Sequence, residues 1–399
     1  KYQNKPLWSV GGSWNIYKEK FFQADFVDML KLRASYGIGG NIGRNTAPYL
    51  IASYYDSSLV DGMAGSVNTP PNKDIRWEKT TTVNVGVDFA LFRHRLSGTI
   101  EYYNKYSVDL LAAINGSPTQ GFGYTTLMTN NGKMVNRGVE ITLSGEIIRQ
   151  KDFSWNASLL YAFNRNKVKH ISVQPSLWDS RISMPTSYPM VGKPLYGIYA
   201  YKWAGLNENG DPQVYDAENN VTSGPARDYH ALVYCGTTVP IHNASLTNVL
   251  RYKGFEFSAM LILDAGHKLR SSNIPSINMS NGRITSTAKG IVDRWTQPGD
   301  VTDVPRLLFS NDTENFNTHR TELYRYSDLF VYDASNIRLS NISLAYRVPA
   351  HWCKKISLSG ARLQFNVENV ATFAFDSKAN YDLGGKVKPN YVWGLYLNF

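Results

Sequence analysis

Apolar and polar residues alternate along this chain with a period of two. In TVNVGVDFAL (Thr82–Leu91), Val83, Val85, Val87, Phe89 and Leu91 alternate with Asn84, Gly86, Asp88 and Ala90. Successive side chains of a strand point to opposite faces, so one face of this segment is apolar and the other polar or small. The same pattern recurs in VEITLSGEI (Val139, Ile141, Leu143 and Ile147 against Glu140, Thr142, Ser144 and Glu146). It recurs again in FSWNASLLYAF (Phe153, Trp155, Ala157, Leu159, Tyr161, Phe163), FEFSAMLIL (Phe255, Phe257, Leu261, Leu263) and LQFNVEN (Leu363, Phe365, Val367). No amphipathic helix of ordinary length competes, and the chain reads as all-β.

The connections differ in length. FRHR (Phe92–Arg95), RQKD (Arg149–Asp152) and YKGF (Tyr252–Phe255) are tight, whereas 39–79, 105–134, 165–243, 265–333 and 371–389 read as long loops. Long structureless connections are uncommon in compact soluble domains. Short turns at one end and long loops at the other are the layout of an outer-membrane barrel. Strands are predicted near 7–17, 29–38, 80–91, 96–104, 135–148, 153–164, 244–252, 255–264, 334–348, 359–370 and 390–399. Their up-and-down parity closes only if 165–243 is one excursion, with YGIYAYKWAGL (196–206) and PQVY (212–215) forming a hairpin outside the wall. That leaves eleven staves, an odd number. Lipid tolerates no open sheet edge, so the wall is expected to close against further strands. On this reading Val87 faces lipid and Asp88 the lumen, and Asp88→Leu is expected to leave the barrel intact. Glu101, Glu140, Glu146 and Glu368 fall on the lumenal side.

Composition narrows the function classes. Aromatics make up 13% of 399 residues, with 26 Tyr, 17 Phe and 9 Trp. Tyr and Trp suit boundaries that are apolar on one side and wet on the other. The net charge of +10 is scattered over turns and strand ends. That does not concentrate basic residues as a nucleic-acid site would, and it suits an anionic membrane surface. No apolar run nears the ~18 residues of a membrane helix. The two cysteines, Cys235 and Cys353, form no CxxC, and are expected at opposite ends of the staves.

Most catalytic motifs are missing. RASYGIGGNIGRN (Arg33–Asn45) has four glycines, but Ile42 stands where a dinucleotide fingerprint needs its third. The stretch reads as a turn at the rim of the wall. Seven scattered histidines offer no HExxH, and no GxSxG is present. No catalytic residue, metal ligand or cofactor is therefore assigned. NENGD (Asn207–Asp211) and QPGD (Gln297–Asp300) read first as turns, with calcium as the alternative for the former. The long loops hold Trp178, Tyr188, Tyr196, Tyr199, Tyr201 and Trp203, the candidates for binding a cargo, with Tyr54 and Tyr55 as weaker ones. Packing of loops or a membrane-boundary girdle is the competing role. YVWGLYLNF places Tyr391, Trp393, Leu395, Leu397 and Phe399 on one face at the C-terminus. That resembles the signal read by outer-membrane assembly machinery.

Several stretches, in order, carry a specific resemblance. They include LWSVGGSWNIYKEKFF, LKLRASYGIGGN, IRWEKTTTVNVGVDFALFRHRLSGTIEYYNKYSVDLL, NNGKMVNRGVEITLSGEII, VGKPLYGIYAYKWAGLNENGDP, RWTQPGDVTDVPRL, DASNIRLSNISLAYRVP and ARLQFNVENVATF. Together they resemble the SusC/RagA group of TonB-dependent transporters of Bacteroidetes-type bacteria. The resemblance implies a transmembrane antiparallel β-barrel of 22 strands with a plugged lumen, in the bacterial outer membrane. Residues 1–399 would form its C-terminal part, without the plug domain and N-terminal coupling segment. It further implies active import of an oligosaccharide or peptide. The implied partners are a SusD-like surface lipoprotein, the N-terminal half of the barrel with its plug, the TonB–ExbB–ExbD system, and outer-membrane lipid and lipopolysaccharide. A passive or structural barrel, and a soluble β-rich carbohydrate-binding module, are the alternatives.

Overall fold

The computed structural model describes residues 6–43, 49–58, 62–69, 71–115, 119, 126–173, 180–224, 228–280, 283–307, 318–384 and 388–399. Eleven strands form one sheet: β1 (Trp8–Asn15), β2 (Val27–Asn41), β3 (Glu78–Leu91), β4 (Leu96–Asn115), β5 (Thr126–Arg149), β6 (Phe153–His170), β7 (His242–Tyr252), β8 (Phe255–Ala265), β9 (Asn336–Arg347), β10 (Gly360–Ala374) and β11 (Asn390–Asn398). Each is hydrogen-bonded to the next in chain order, and β1 and β11 are the edges. All eleven staves read from the sequence are present, in the expected order. No helix among the described residues is long and apolar enough to cross a membrane.

The chain divides into two compact units. The first, residues 1–143, 162–176 and 186–195, holds β1–β4 and the far ends of β5 and β6. Here the register stacks Trp14, Leu32, Val87 and Ile100 in one row across four strands. Trp14 is 47% exposed, and Val10, Val85 and Ile100 on this face are exposed too. The opposite face is polar. Arg33 of β2 donates from Nε and Nη2 to both oxygens of Asp88 at 2.8 and 2.9 Å, and from Nη2 to Glu101 on β4. To reach Glu101 it crosses β3 at Gly86, where a Cβ would lie 3.3 Å from Arg33 Nη2 and 3.1 Å from Glu101 Cγ. A glycine is needed there for space. Asp88 is thus a partner in an ion network on the polar face.

The second unit, residues 144–161, 177–185 and 196–399, holds β7–β11 and the turn-proximal parts of β5 and β6. Phe257, Leu344, Phe365 and Trp393 line up across β8–β11. The Phe365 and Trp393 rings lie 4.2 Å apart, yet Trp393 remains 79% exposed. On the other face Glu256 accepts from Arg251 at 2.7 Å and Arg362 at 3.1 Å. In both units the apolar face of the sheet therefore lies uncovered, as a lipid-facing surface requires and a soluble sandwich does not.

Three sequence expectations change. Gly37, Gly39 and Gly40 lie inside β2, not in a turn. A Cβ on Gly37 would meet Ser9 Cβ at 2.9 Å, and one on Gly40 would meet Leu7 Cδ2 at 2.9 Å, so these positions need room beside their neighbours. The loops expected at 105–134 and 165–243 are shorter, because β4, β5 and β6 run on to Asn115, back to Thr126 and up to His170. In β4, Asp109 has a φ of +57°, just past the last residue paired with β3, Val108. The expected hairpin of 196–206 with 212–215 holds only for Trp203–Leu206, because Gly197–Tyr201 pairs instead with Leu232–Thr237.

Val87→Arg is expected to reduce the yield of heat-modifiable protein in the outer membrane, since arginine facing mid-bilayer costs roughly 2–4 kcal/mol. Asp88→Leu should insert but lose its folded gel mobility at a lower temperature, by an amount reflecting on the order of 1 kcal/mol. Equal behaviour of the two variants on heated, semi-native gels would reverse the face assignment.

Candidate functional site

Most of the deeply buried residues belong to the long excursions. Tyr199, Ala200, Tyr201, Val214 and Leu323 are each at most 1% exposed. Tyrosine and branched side chains on Gly197–Tyr201 make a short strand that pairs with Leu232–Thr237 on one edge. On its other edge Tyr201 N–H donates to Tyr326 C=O at 3.0 Å. Hence a core forms among the described residues of 196–335. Lys268–Arg270 pairs with Val331–Asp333 beside it.

Asp211 ties this assembly together. Arg306 donates to both its oxygens at 3.1 and 2.9 Å, and Arg320 Nε donates to Oδ1 at 2.6 Å. Burial alone would raise the Asp211 carboxyl, but these donors and their charge hold it below its ordinary value of 3.8. The NENGD segment is a turn: Asn207 Oδ1 accepts from the Asn209 and Asp211 amides. Gly210 has a φ of +74°, and a Cβ there would lie 2.4 Å from the Trp295 indole. Within this turn Asp211 is thus committed to two arginines. In QPGD, Asp300 Oδ2 accepts from the Thr296 and Gln297 amides and from Thr296 Oγ1, again a turn. No cluster of metal-ligating side chains occurs among the described residues.

Beside this clamp lies a cavity of about 630 Å³. Its walls come from Pro212, the segment 270–276, Ile291, residues 305–307 and the helix Thr318–Arg325 with Tyr326. Arg270 donates to the carbonyls of Tyr199 (2.6 Å), Ser327 (3.3 Å) and Arg325 (3.4 Å). Asp382 fixes the adjoining wall by accepting from Ser271 Oγ (2.7 Å), Ser272 N–H (3.0 Å) and Ser272 Oγ (2.7 Å).

The aromatic candidates separate. Tyr199 and Tyr201 are core residues at 1% and 0% exposure, and Tyr188 is buried at 8% in the other unit. Trp203 is half-buried, its Nε1 donating to Asp303 at 3.0 Å and its ring 5.7 Å from that of Tyr324. Tyr196 is 47% exposed. Trp178 lies outside the described residues. Tyr54 and Tyr55 are exposed on the hairpin Ile51–Ser57 and Gly62–Thr69. The cavity arginines escaped the sequence reading, because positions 270, 306, 320 and 325 form no local motif. Cys235 lies on Leu232–Thr237 and Cys353 in the short helix Ala350–Lys354 between β9 and β10; both are free thiols. Burial pushes the Cys235 thiol up to about 11.

Tyr391, Trp393, Leu395 and Leu397 alternate along β11 and are exposed, as is Phe399 just beyond it.

Residues 1–370 match the family described as TonB dependent receptor-like, beta-barrel. TonB-dependent receptor P3 of Formosa agariphila is 26% identical over 96% of this chain and 39% of its own length. TonB-dependent receptor SusC of Bacteroides thetaiotaomicron is 26% identical over 90% of this chain and 36% of its own. The chain thus spans under two fifths to about two fifths of the curated relatives it matches. Among solved structures, that of the RagAB peptide transporter superposes with a TM-score of 0.76 at 24% identity, over 98% of this chain and 43% of that one. At that identity the likeness concerns the fold.

Because Asp211 is held below 3.8 in the fold, its contribution to the loop assembly is fully present above the ordinary carboxylate range. It declines as pH falls through the native value. Hydrogen exchange of 203–215 and 318–326 should therefore be slow at pH 6 and accelerate selectively, beyond intrinsic rates, below about pH 3.8. Asp211→Asn should show faster exchange already at pH 6; unchanged exchange would deny the clamp its role.

Proposed function

This chain belongs to the TonB dependent receptor-like β-barrel family, and from that premise we propose that it forms part of the wall and surface loops of an active outer-membrane importer. The family is one of outer-membrane transporters, not of enzymes. The observation that carries the proposal is the pairing of two features in one chain. One is an eleven-stranded sheet whose apolar face is exposed among the described residues. The other is a loop assembly with its own core and an open cavity.

In this reading residues 1–399 are the C-terminal part of the barrel. Further strands pair with β1 and β11 to close it, since neither edge can be left open to lipid. The N-terminal half of the barrel supplies them and carries the plug. The TonB–ExbB–ExbD system supplies energy, and a SusD-like surface lipoprotein caps the loops. The similarity to SusC and the fold shared with the RagAB transporter support this arrangement. The cargo is an oligosaccharide or a peptide. Of the loop aromatics, Tyr196 and Trp203 retain ring surface with which to meet it. The exposed row Tyr391, Trp393, Leu395, Leu397 and Phe399 serves assembly into the membrane.

The test is uptake of labelled peptide and glycan digests by cells expressing the full-length protein with its surface lipoprotein. Uptake should stop when a protonophore collapses the proton gradient. Uptake that persists would establish a passive barrel instead.

A further inference from the structure

Four arginines line the loop cavity: Arg270, Arg306, Arg320 and Arg325. Arg306 and Arg320 share Asp211. Among the described residues, Arg270 and Arg325 have no carboxylate within 4 Å. Instead, their guanidiniums both lie against Tyr326, 5.5 and 5.6 Å from its ring centroid. Two cations at one aromatic ring repel each other, and Arg270 is half-buried, which adds a desolvation cost. Backbone carbonyls hold Arg270 in place. The exposed Arg325 has no such anchor and is free to fork onto an anion, as arginine does with carboxylates.

The rest of the wall selects among anions. Ile274, Pro275, Ile291 and Leu307 are aliphatic. Of the two aromatic residues in the wall, Tyr326 is half-buried with both arginines against its ring, and Tyr324, 6% exposed, is packed against Trp203 and Phe330. A sugar ring finds no platform here, whereas an aliphatic side chain beside a carboxylate finds both its partners. The volume, about 630 Å³, lies within the range of small-ligand sites.

We infer that this cavity is a carboxylate subsite that takes the free C-terminal end of a short peptide with an aliphatic last residue, the Arg270–Arg325 pair receiving the α-carboxylate and the aliphatic wall the side chain. This deepens the import reading by choosing peptide over glycan, and rests on it.

The test is calorimetry on the full-length protein in detergent. The probes are N-acetyl-Ala-Ala-Leu as the free acid, the same peptide as its C-terminal amide, and tri-galacturonate. The acid should bind at least about tenfold tighter than the amide, the worth of a charge-assisted hydrogen bond. Arg325→Gln should weaken the acid by a similar factor, leave the amide unchanged and so erase the preference; Arg325→Lys should restore part of it. Heat-modifiable migration checks that both variants are folded. Equal binding of acid and amide, a preference that survives Arg325→Gln, tighter binding of tri-galacturonate, or no peptide binding would each overturn the assignment. Binding is read without transport. Lost preference with energised uptake intact therefore sinks only the subsite, and intact preference without energised uptake sinks only the import reading.

Discussion

A backbone amide facing hydrocarbon must find its partner in protein, because no water reaches it. The architecture follows from that constraint. Antiparallel neighbours joined by tight turns, as at Phe92–Arg95 and Tyr252–Phe255, satisfy each strand through the one made next. Sequence order and sheet order then coincide from β1 to β11. The side chains are left to divide by face. Aliphatic and aromatic groups go to the uncovered side, and ion networks such as Arg33–Asp88–Glu101 to the other.

The wall was legible in the sequence because period two is a local property. Val83–Leu91 or Leu363–Val367 declares its faces without knowledge of its neighbours, and eleven such segments with parity gave the right strands. Legibility failed wherever the phase slipped or pairing was non-local. Asp109 takes a left-handed φ within β4, and the residues beyond it, at the long-loop end, read as loop. Gly37 and Gly40 looked like turn residues, but they serve close packing by Ser9 and Leu7. Gly197–Tyr201 pairs with a segment some thirty residues on, a choice made by burial of Tyr199 and Tyr201 and not by any hairpin signal.

The candidate site was harder still to read. Aromatic richness drew attention to Tyr199 and Tyr201, which the fold uses as core. Four arginines from three segments line the cavity instead. Spacing of 36 residues between Arg270 and Arg306, and 14 between Arg306 and Arg320, encodes nothing until Asp211 and the Tyr326 ring gather them. Acid–base pairs that span an excursion are tertiary facts.

The separate core beneath Tyr199, Val214 and Leu323 has an evolutionary consequence. Because these excursions bury apolar groups of their own, substitutions among their exposed residues need not disturb the strands of the sheet. The loop residues can then change while the stave pattern is inherited intact.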